Sequence, residues 1–278
     1  MSQVELSFWV LLSSLIAGLL GSLTGLGGGV VIVPVLAILF HVDIRYAIGA
    51  SLVSVIATSS GAAAAYVREG FSNIRIGMFL EIATTVGALF GAYLTARVTT
   101  KWIGLIFGLV LLYSAWASFR AKGDHGGVDN PDALAARLRL QGAYPGPSGQ
   151  IAYRAQHVPA GFGIMFLAGT LSGLLGIGSG AVKVLAMDQA MKLPFKVSTT
   201  TSNFMIGVTA AASAGIYLNR GYILPGLAMP VVLGVLAGSL IGSRILVRTE
   251  VGVLRLVFSA VIVLLGLEMI YSAFTGKL

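Results

Sequence analysis

The chain has 278 residues, of which 56 % are hydrophobic and only 10 % charged, against about a quarter charged in ordinary soluble domains. Mean hydropathy is +0.92, with 37 glycines and no cysteine. These values exclude a disordered chain, a disulfide scaffold, thiolate chemistry and most soluble enzymes. Apolar runs long enough to cross a hydrocarbon core of about 30 Å recur throughout, and they predict an all-α polytopic membrane protein.

The first apolar stretch covers 6–40 and is interrupted by Gly25-Leu26-Gly27-Gly28-Gly29, with Pro34 beyond, so it divides into two elements. Before it stand an acidic Glu5 and no Lys or Arg. That does not match a basic signal-peptide start, and the run is expected to stay as a membrane helix. Helices are predicted at 46–67, 74–96 and 100–119. A polar segment, 121–158, follows, rich in proline, with a short amphipathic helix expected at 132–140. The second half resumes with two elements between 160 and 191, broken at Gly176-Ile177-Gly178-Ser179-Gly180, and then helices at 197–218, 223–246 and 250–274. The domain division is therefore 6–120, a connecting loop at 121–158, and 159–275.

The halves register without a gap when the chain is displaced by 151 positions. Gly25, Gly27 and Gly29 fall on Gly176, Gly178 and Gly180; Arg45 falls on Lys196, Ser51 on Ser202, Thr58 on Thr209 and Tyr66 on Tyr217. One register that aligns glycines, basic residues and hydroxyls points to a duplication.

The net charge of +8 sits almost wholly in the connections and reads as topology, not as nucleic-acid binding. With each broken stretch a single crossing, the repeats are parallel and the basic residues near the membrane divide 9 to 8. With each broken stretch crossing twice or dipping in and out, the second half is inverted. One side then holds Arg68, Arg75, Arg120, Lys122, Arg137, Arg139, Arg154, Lys192, Lys196, Arg244, Arg248 and Arg255, and the other Arg45, Arg97, Lys101, Arg220 and Lys277, a division of 12 to 5. The positive-inside bias selects inverted-topology repeats, each a glycine-broken helix pair plus three transmembrane helices, with the 121–158 loop cytoplasmic. Inverted repeats with broken helices mark secondary transporters whose sites lie where the repeats meet.

The glycine breaks are the first candidate site: Gly27, Gly28 and Gly29, and Gly178, Ser179 and Gly180. A helix starting at either would offer N–H groups and the positive end of its dipole to an anion; the alternative is close helix packing. Lys183 follows three positions after Gly180. A lysine at membrane depth costs roughly 2.5–3.5 kcal/mol on insertion scales. It reads as an anion ligand, or as a structural partner of Asp188 or Glu81. The run Ser198-Thr199-Thr200-Thr201-Ser202-Asn203 and its first-half counterpart around Ser51 could donate to anion oxygens without permanent charge; Ser51, Ser202 and Asn203 are the candidates. Glu81 is a candidate coupling group, and Arg45 and Lys196 are vestibule residues or interfacial anchors. No cofactor, metal site or catalytic set is indicated: His41, His125 and His157 stand singly in predicted loops.

These glycine motifs, with Pro34 and the downstream Gly49-Ala50-Ser51, resemble the TauE/SafE family of sulfite-exporter-type permeases, and the resemblance covers essentially the whole chain. It implies a multi-pass permease of the cell (inner) membrane for small sulfur-containing anions such as sulfite or sulfoacetate. Ser179 departs from the glycine common in the family, and Lys183 and Leu185 stand where the first half has Ile32 and Pro34. The expected partners are the bilayer, a small anion, a proton or sodium ion as coupling ion, and a second copy of the chain if it is a homo-oligomer. The alternatives are a passive anion channel or a permease for another organic anion.

Overall fold

The computed structural model describes residues 3–24, 28–68, 72–120, 132–146, 149–246 and 251–276. Helix α1 (Gln3–Thr24) leads through the first glycine break to a short α2 (Gly29–Pro34), which loosens into a π-helical turn, Val35–Leu39. Helices α3 (Ile44–Arg68), α4 (Ile74–Leu94) and α5 (Thr100–Arg120) complete the first half. The second half repeats the series as α7 (Val158–Leu175), α8 (Gly180–Leu185), a π turn at Ala186–Ala190, α9 (Phe195–Asn219), α10 (Pro225–Leu246) and α11 (Val251–Thr275). Several of these bounds are the first half's displaced by 151 positions, α3 and α9 at both ends. The π turn recurs where Leu185 replaces Pro34, so proline is not its cause.

Helices pack through small residues. Gly87 and Gly91 of α4 lie against the backbone of Phe166, Thr170 and Leu174 in α7, while Gly169 and Gly173 of α7 lie against Thr84, Ala88 and Ala92 of α4. Gly18 of α1 meets the Val235 backbone of α10, and Gly234 and Gly238 of α10 meet Leu11, Leu15 and Leu19 of α1. Both pairs run parallel. No hydrophobic force separates helix from lipid, so backbone approach of this kind supplies the dispersion energy of association. The main contacts survive exchange of the halves: α1–α10 maps onto α4–α7, α3–α10 onto α4–α9, α2–α3 onto α8–α9, and α3–α9 and α5–α11 onto themselves.

Large apolar side chains cover the outside. Phe8, Trp9, Met78, Phe90, Trp102, Trp116, Leu167, Leu240 and Leu264 are all more than half exposed or nearly so. A soluble protein rarely presents so much apolar surface, whereas a bilayer accepts it. Ile74–Leu94 and Val158–Leu175 are each long and apolar enough to cross a membrane.

The described part of the connecting segment is more ordered than its composition suggests. In place of a helix over 132–140 there is a single turn, α6 (Ala133–Arg137), and then an antiparallel hairpin, β1 (Gln141–Gly146) and β2 (Gly149–Arg154). Asp132 joins two helix starts: Oδ1 accepts from Leu134 N at 3.0 Å and Oδ2 from Val158 N at 2.9 Å. Those backbone donors, Val158 first, hold its carboxyl below the usual range. Leu140, Tyr144 and Tyr153 bury against Ile76, Leu80, Met165, Met187, Met191 and Met205, in an apolar cluster separate from the main core. Asn73 caps α4 through Oδ1, donates from Nδ2 to Tyr153 Oη at 2.8 Å, and donates its backbone N–H to Thr201 Oγ1 at 3.0 Å. The hairpin is thereby fastened to α4 and α9.

Candidate functional site

The broken element of the second half returns to where it began. Gln156 N, just before α7, donates to Met191 O, just after the π turn, at 3.0 Å, and the Met191 side chain covers Gly161. The glycine bend is the far end of this hairpin. Gly176 and Gly178 both have φ +68, a left-handed conformation that glycine adopts without penalty. Ser179 follows at φ 45 and does carry the penalty. In the first half Gly28 is right-handed, at φ −63, and its carbonyl accepts from Val31 and Ile32. Gly27 lies outside the described residues.

The two bends meet. Ser51 Oγ of α3 donates to the Gly176 carbonyl at 2.8 Å, fully buried. A Cβ on Gly29 would meet Ser51 Oγ, the Val55 side chain and that same Gly176 oxygen within 3.0 Å. A Cβ on Gly178 would strike Ile206 of α9 at 2.7 Å and approach Val55. Ser202 Oγ of α9 donates to the Gly180 carbonyl at 3.3 Å. Gly28 stands slightly apart, against Val235 of α10. The small residues at the bends thus let two hairpins and two helices converge on one place. The helix that starts at each bend has six α-helical residues before its π turn, so the dipole field expected there comes from a short segment.

Ser179 Oγ is buried without a hydrogen-bond partner. Asn203 is 9 % exposed, beside Ser202 on α9, and its amide has no partner among the described residues. Both are polar groups left over by the fold, next to the bend.

Lys183 is wholly buried. Its Nζ donates to Thr209 Oγ1 of α9 at 2.6 Å, and Thr209 Oγ1 donates to Glu81 Oε1 of α4 at 2.7 Å. Thr85 Oγ1 donates to the same carboxylate oxygen at 3.1 Å. Glu81 Oε2 is buried and unpartnered. Of the two structural partners that the sequence offers Lys183, the structure brings Glu81 into its reach through one hydroxyl. The sequence does not single out Thr209; its signal is that it repeats Thr58. In the first half Thr58 Oγ1 merely bonds back to Ser54 and Val55 carbonyls. Repeat mates of Lys183 and Glu81 are Ile32 and Val232, so this charged chain exists once, across a duplicated frame.

Arg45 and Lys196 lie away from the bends. Arg45 Nη2 donates to Val98 O at 3.1 Å, which ties the start of α3 to the α4–α5 connection, and Lys196 is exposed. Glu268 is exposed on α11. Arg220 and Tyr217, not among the candidates, make a second tie: Arg220 Nη1 donates to Ala92 O at 2.8 Å, and Tyr217 Oη reaches Thr95 Oγ1 at 2.8 Å and Gly173 O at 3.0 Å.

Comparison with known proteins gives a consistent result. Residues 10–269 match the family model described as sulfite exporter TauE/SafE. A Bacillus subtilis (strain 168) protein, "Probable membrane transporter protein YunE", is 30 % identical over 93 % of this chain and 95 % of its own. A second from the same organism, "Probable membrane transporter protein YdhB", is 25 % identical over 84 % of this chain and 88 % of its own. A Methanocaldococcus jannaschii protein, "Probable membrane transporter protein MJ0441", is 25 % identical over 96 % of this chain and 98 % of its own. No solved structure matches.

Proposed function

This chain belongs to the sulfite exporter TauE/SafE family, and from that premise we propose that it carries a small sulfur-containing anion, sulfite or an organosulfonate such as sulfoacetate, by alternating access between two inverted repeats. The family and its relatives support a multi-pass membrane transporter. The observation that carries the rest is the meeting of the two glycine bends through Ser51 and Gly176, with Lys183, wholly buried, on the helix leaving one of them.

Inversion is supported by the contacts at the two ends of the bundle. Arg45 at the start of α3 bonds to the α4–α5 connection, and Gly49 packs on Tyr222, just after α9. Asn73, just after α3, bonds to Thr201 near the start of α9. Repeat mates α3 and α9 are then antiparallel. The division of 12 basic residues to 5 supports a cytoplasmic 121–158 loop in an inner-membrane protein.

In this reading the substrate sits between the bends. Hydroxyl and amide donors from Ser179 and Asn203, together with N–H groups at the bends, hold its oxygens, and Lys183 supplies the charge. Backbone at membrane depth is tolerated there because it is buried or lines a cavity.

The test is flux in proteoliposomes with sulfite, sulfoacetate, taurine, thiosulfate, sulfate and acetate, with Lys183→Met beside the wild type. Saturable movement and counterflow of the sulfur oxyanions, lost in a Lys183→Met protein whose thermal unfolding is unchanged, is the expected result. Non-saturable, counterflow-free movement would make it a channel. Flux that survives Lys183→Met would remove the lysine from the site, and silence across the panel under imposed proton and sodium gradients would overturn the substrate class.

A further inference from the structure

We propose that the Lys183–Thr209–Glu81 chain is a proton-coupling site, with Glu81 Oε2 the proton's position, so that each anion crosses together with one proton. The proposal rests on the anion-carrier reading above and names the ion that drives it.

The argument starts from unspent valences. An ammonium has three N–H donors, and the Thr209 hydroxyl takes the one hydrogen bond Lys183 makes among the described residues. Glu81 uses only Oε1, which accepts from Thr209 and Thr85, and leaves Oε2 bare. Burying charges with incomplete hydrogen bonding is costly. The two groups compensate each other only across an intervening hydroxyl. A ligand that brings one anionic oxygen and one proton completes both: the oxygen takes the spare lysine donors, and the proton neutralises the carboxylate.

The coupling then follows from sign. With the site empty, Lys183 balances an ionised Glu81 through Thr209. When an anion reaches Lys183, the lysine's charge is claimed, and the anion and carboxylate repel in a medium of low dielectric. One water-derived proton adding to Glu81 Oε2 relieves that repulsion. Anion and proton therefore favour each other's binding, and the linkage is reciprocal. A singly charged anion moves with its proton without net charge, and both gradients together set the direction.

The other titratable groups of the packed elements, among the described residues, stand elsewhere. Along α4, Arg75 stands exposed at the start; α7 brings no titratable residue; α9 brings Lys196, exposed at its start, and Tyr217, engaged with Thr95 and Gly173; the α8 segment brings Asp188 in its π turn; and the hairpin brings Tyr144 and Tyr153 to the neighbouring cluster. Among the described residues, only Glu81 is joined to the lysine through one hydroxyl. The element crosses the repeats, Glu81 from the first and Lys183 and Thr209 from the second, so a rocking of one against the other would make or break it.

The probes are thiosulfate and sulfoacetate, whose sulfur-bound oxygens do not themselves hold protons near neutrality, with a pH-sensitive dye trapped in the proteoliposomes. The expected wild-type result is alkalinisation or acidification that follows the anion. In Glu81→Gln, protons moved per anion fall at least about tenfold, while exchange of labelled anion across equal concentrations stays within about threefold. Glu81→Asp keeps an acid at the site and keeps coupling, and it stands in if the glutamine variant does not fold. Anion flux with no proton movement, or with sodium dependence in its place, overturns this proposal and leaves the carrier reading intact. Proton movement that persists in Glu81→Gln does the same. No flux of either probe in the wild type, alongside silence of the remaining panel, overturns both.

Discussion

At the level of single residues, Ser179 is the most exposed to test. It sits at φ 45, where an L side chain costs roughly 1–2 kcal/mol relative to glycine, and its hydroxyl is buried without a partner. Its repeat mate, Gly28, is right-handed, so the serine is found in the very half whose backbone suits it less. A residue held in strain with an unspent donor at a bend is expected to serve the ligand. Ser179→Gly should therefore stabilise the protein by about 1 kcal/mol, seen as a raised thermal midpoint, and weaken anion transport. Ser179→Ala should weaken transport to a similar degree without the backbone gain. If both variants transport as the wild type does, the hydroxyl has no part in the site. Residue chemistry was partly legible in advance. Lys183 is visible because a lysine among Ala181, Val182, Val184 and Leu185 contradicts its surroundings. Its threonine partner lies 26 residues away, and the carboxylate lies 128 residues from that threonine. One more threonine in a hydroxyl-rich helix carries no sign of being the one that connects them.

Among the elements, the helices are legible in the sequence to within a few residues, because an apolar run bounded by charge or glycine states both its nature and its ends. The predicted 46–67 and 197–218 became Ile44–Arg68 and Phe195–Asn219. The hairpin of the connecting loop was not legible. Its strands, QGAYPG and GQIAYR, lack the alternation of a half-buried strand, and their burial comes from Tyr144 and Tyr153 meeting methionines of three other elements. Gly87 and Gly91, by contrast, serve packing, because no Cβ fits there. Gly91 approaches the Thr170 carbonyl and the Leu174 amide of α7. Gly91→Leu must push α4 and α7 apart along their contact, and a loss on the order of 3 kcal/mol is expected, at the upper end for overpacking. Val86→Leu, on the exposed face of the same helix, should cost nothing measurable. The comparison is of thermal midpoints and of monodisperse yield in detergent. Equal stability of the two variants would mean that α4 and α7 do not pack as described.

For the whole molecule the decisive question is the sense of the repeats, and the sequence itself supplies clean material for it. The chain has no cysteine, so a single introduced thiol can be located without background. His41 and Lys192 are repeat mates, both exposed and both left-handed, at φ 51 and φ 55. Each follows the π turn of its own hairpin, so neither takes part in the contacts between bends. In a parallel duplication the two positions must face the same side of the membrane. In an inverted one they must face opposite sides, with Lys192 on the side that gathers most of the basic residues. A membrane-impermeant maleimide applied to intact cells should therefore label His41→Cys and spare Lys192→Cys until the membrane is opened. Symmetric labelling of both from outside, or of neither, would return the repeats to the parallel arrangement. It would also take away the geometry on which alternating access between the two hairpins depends, since a rocking motion exposes one site to both sides in turn only when its two halves face oppositely.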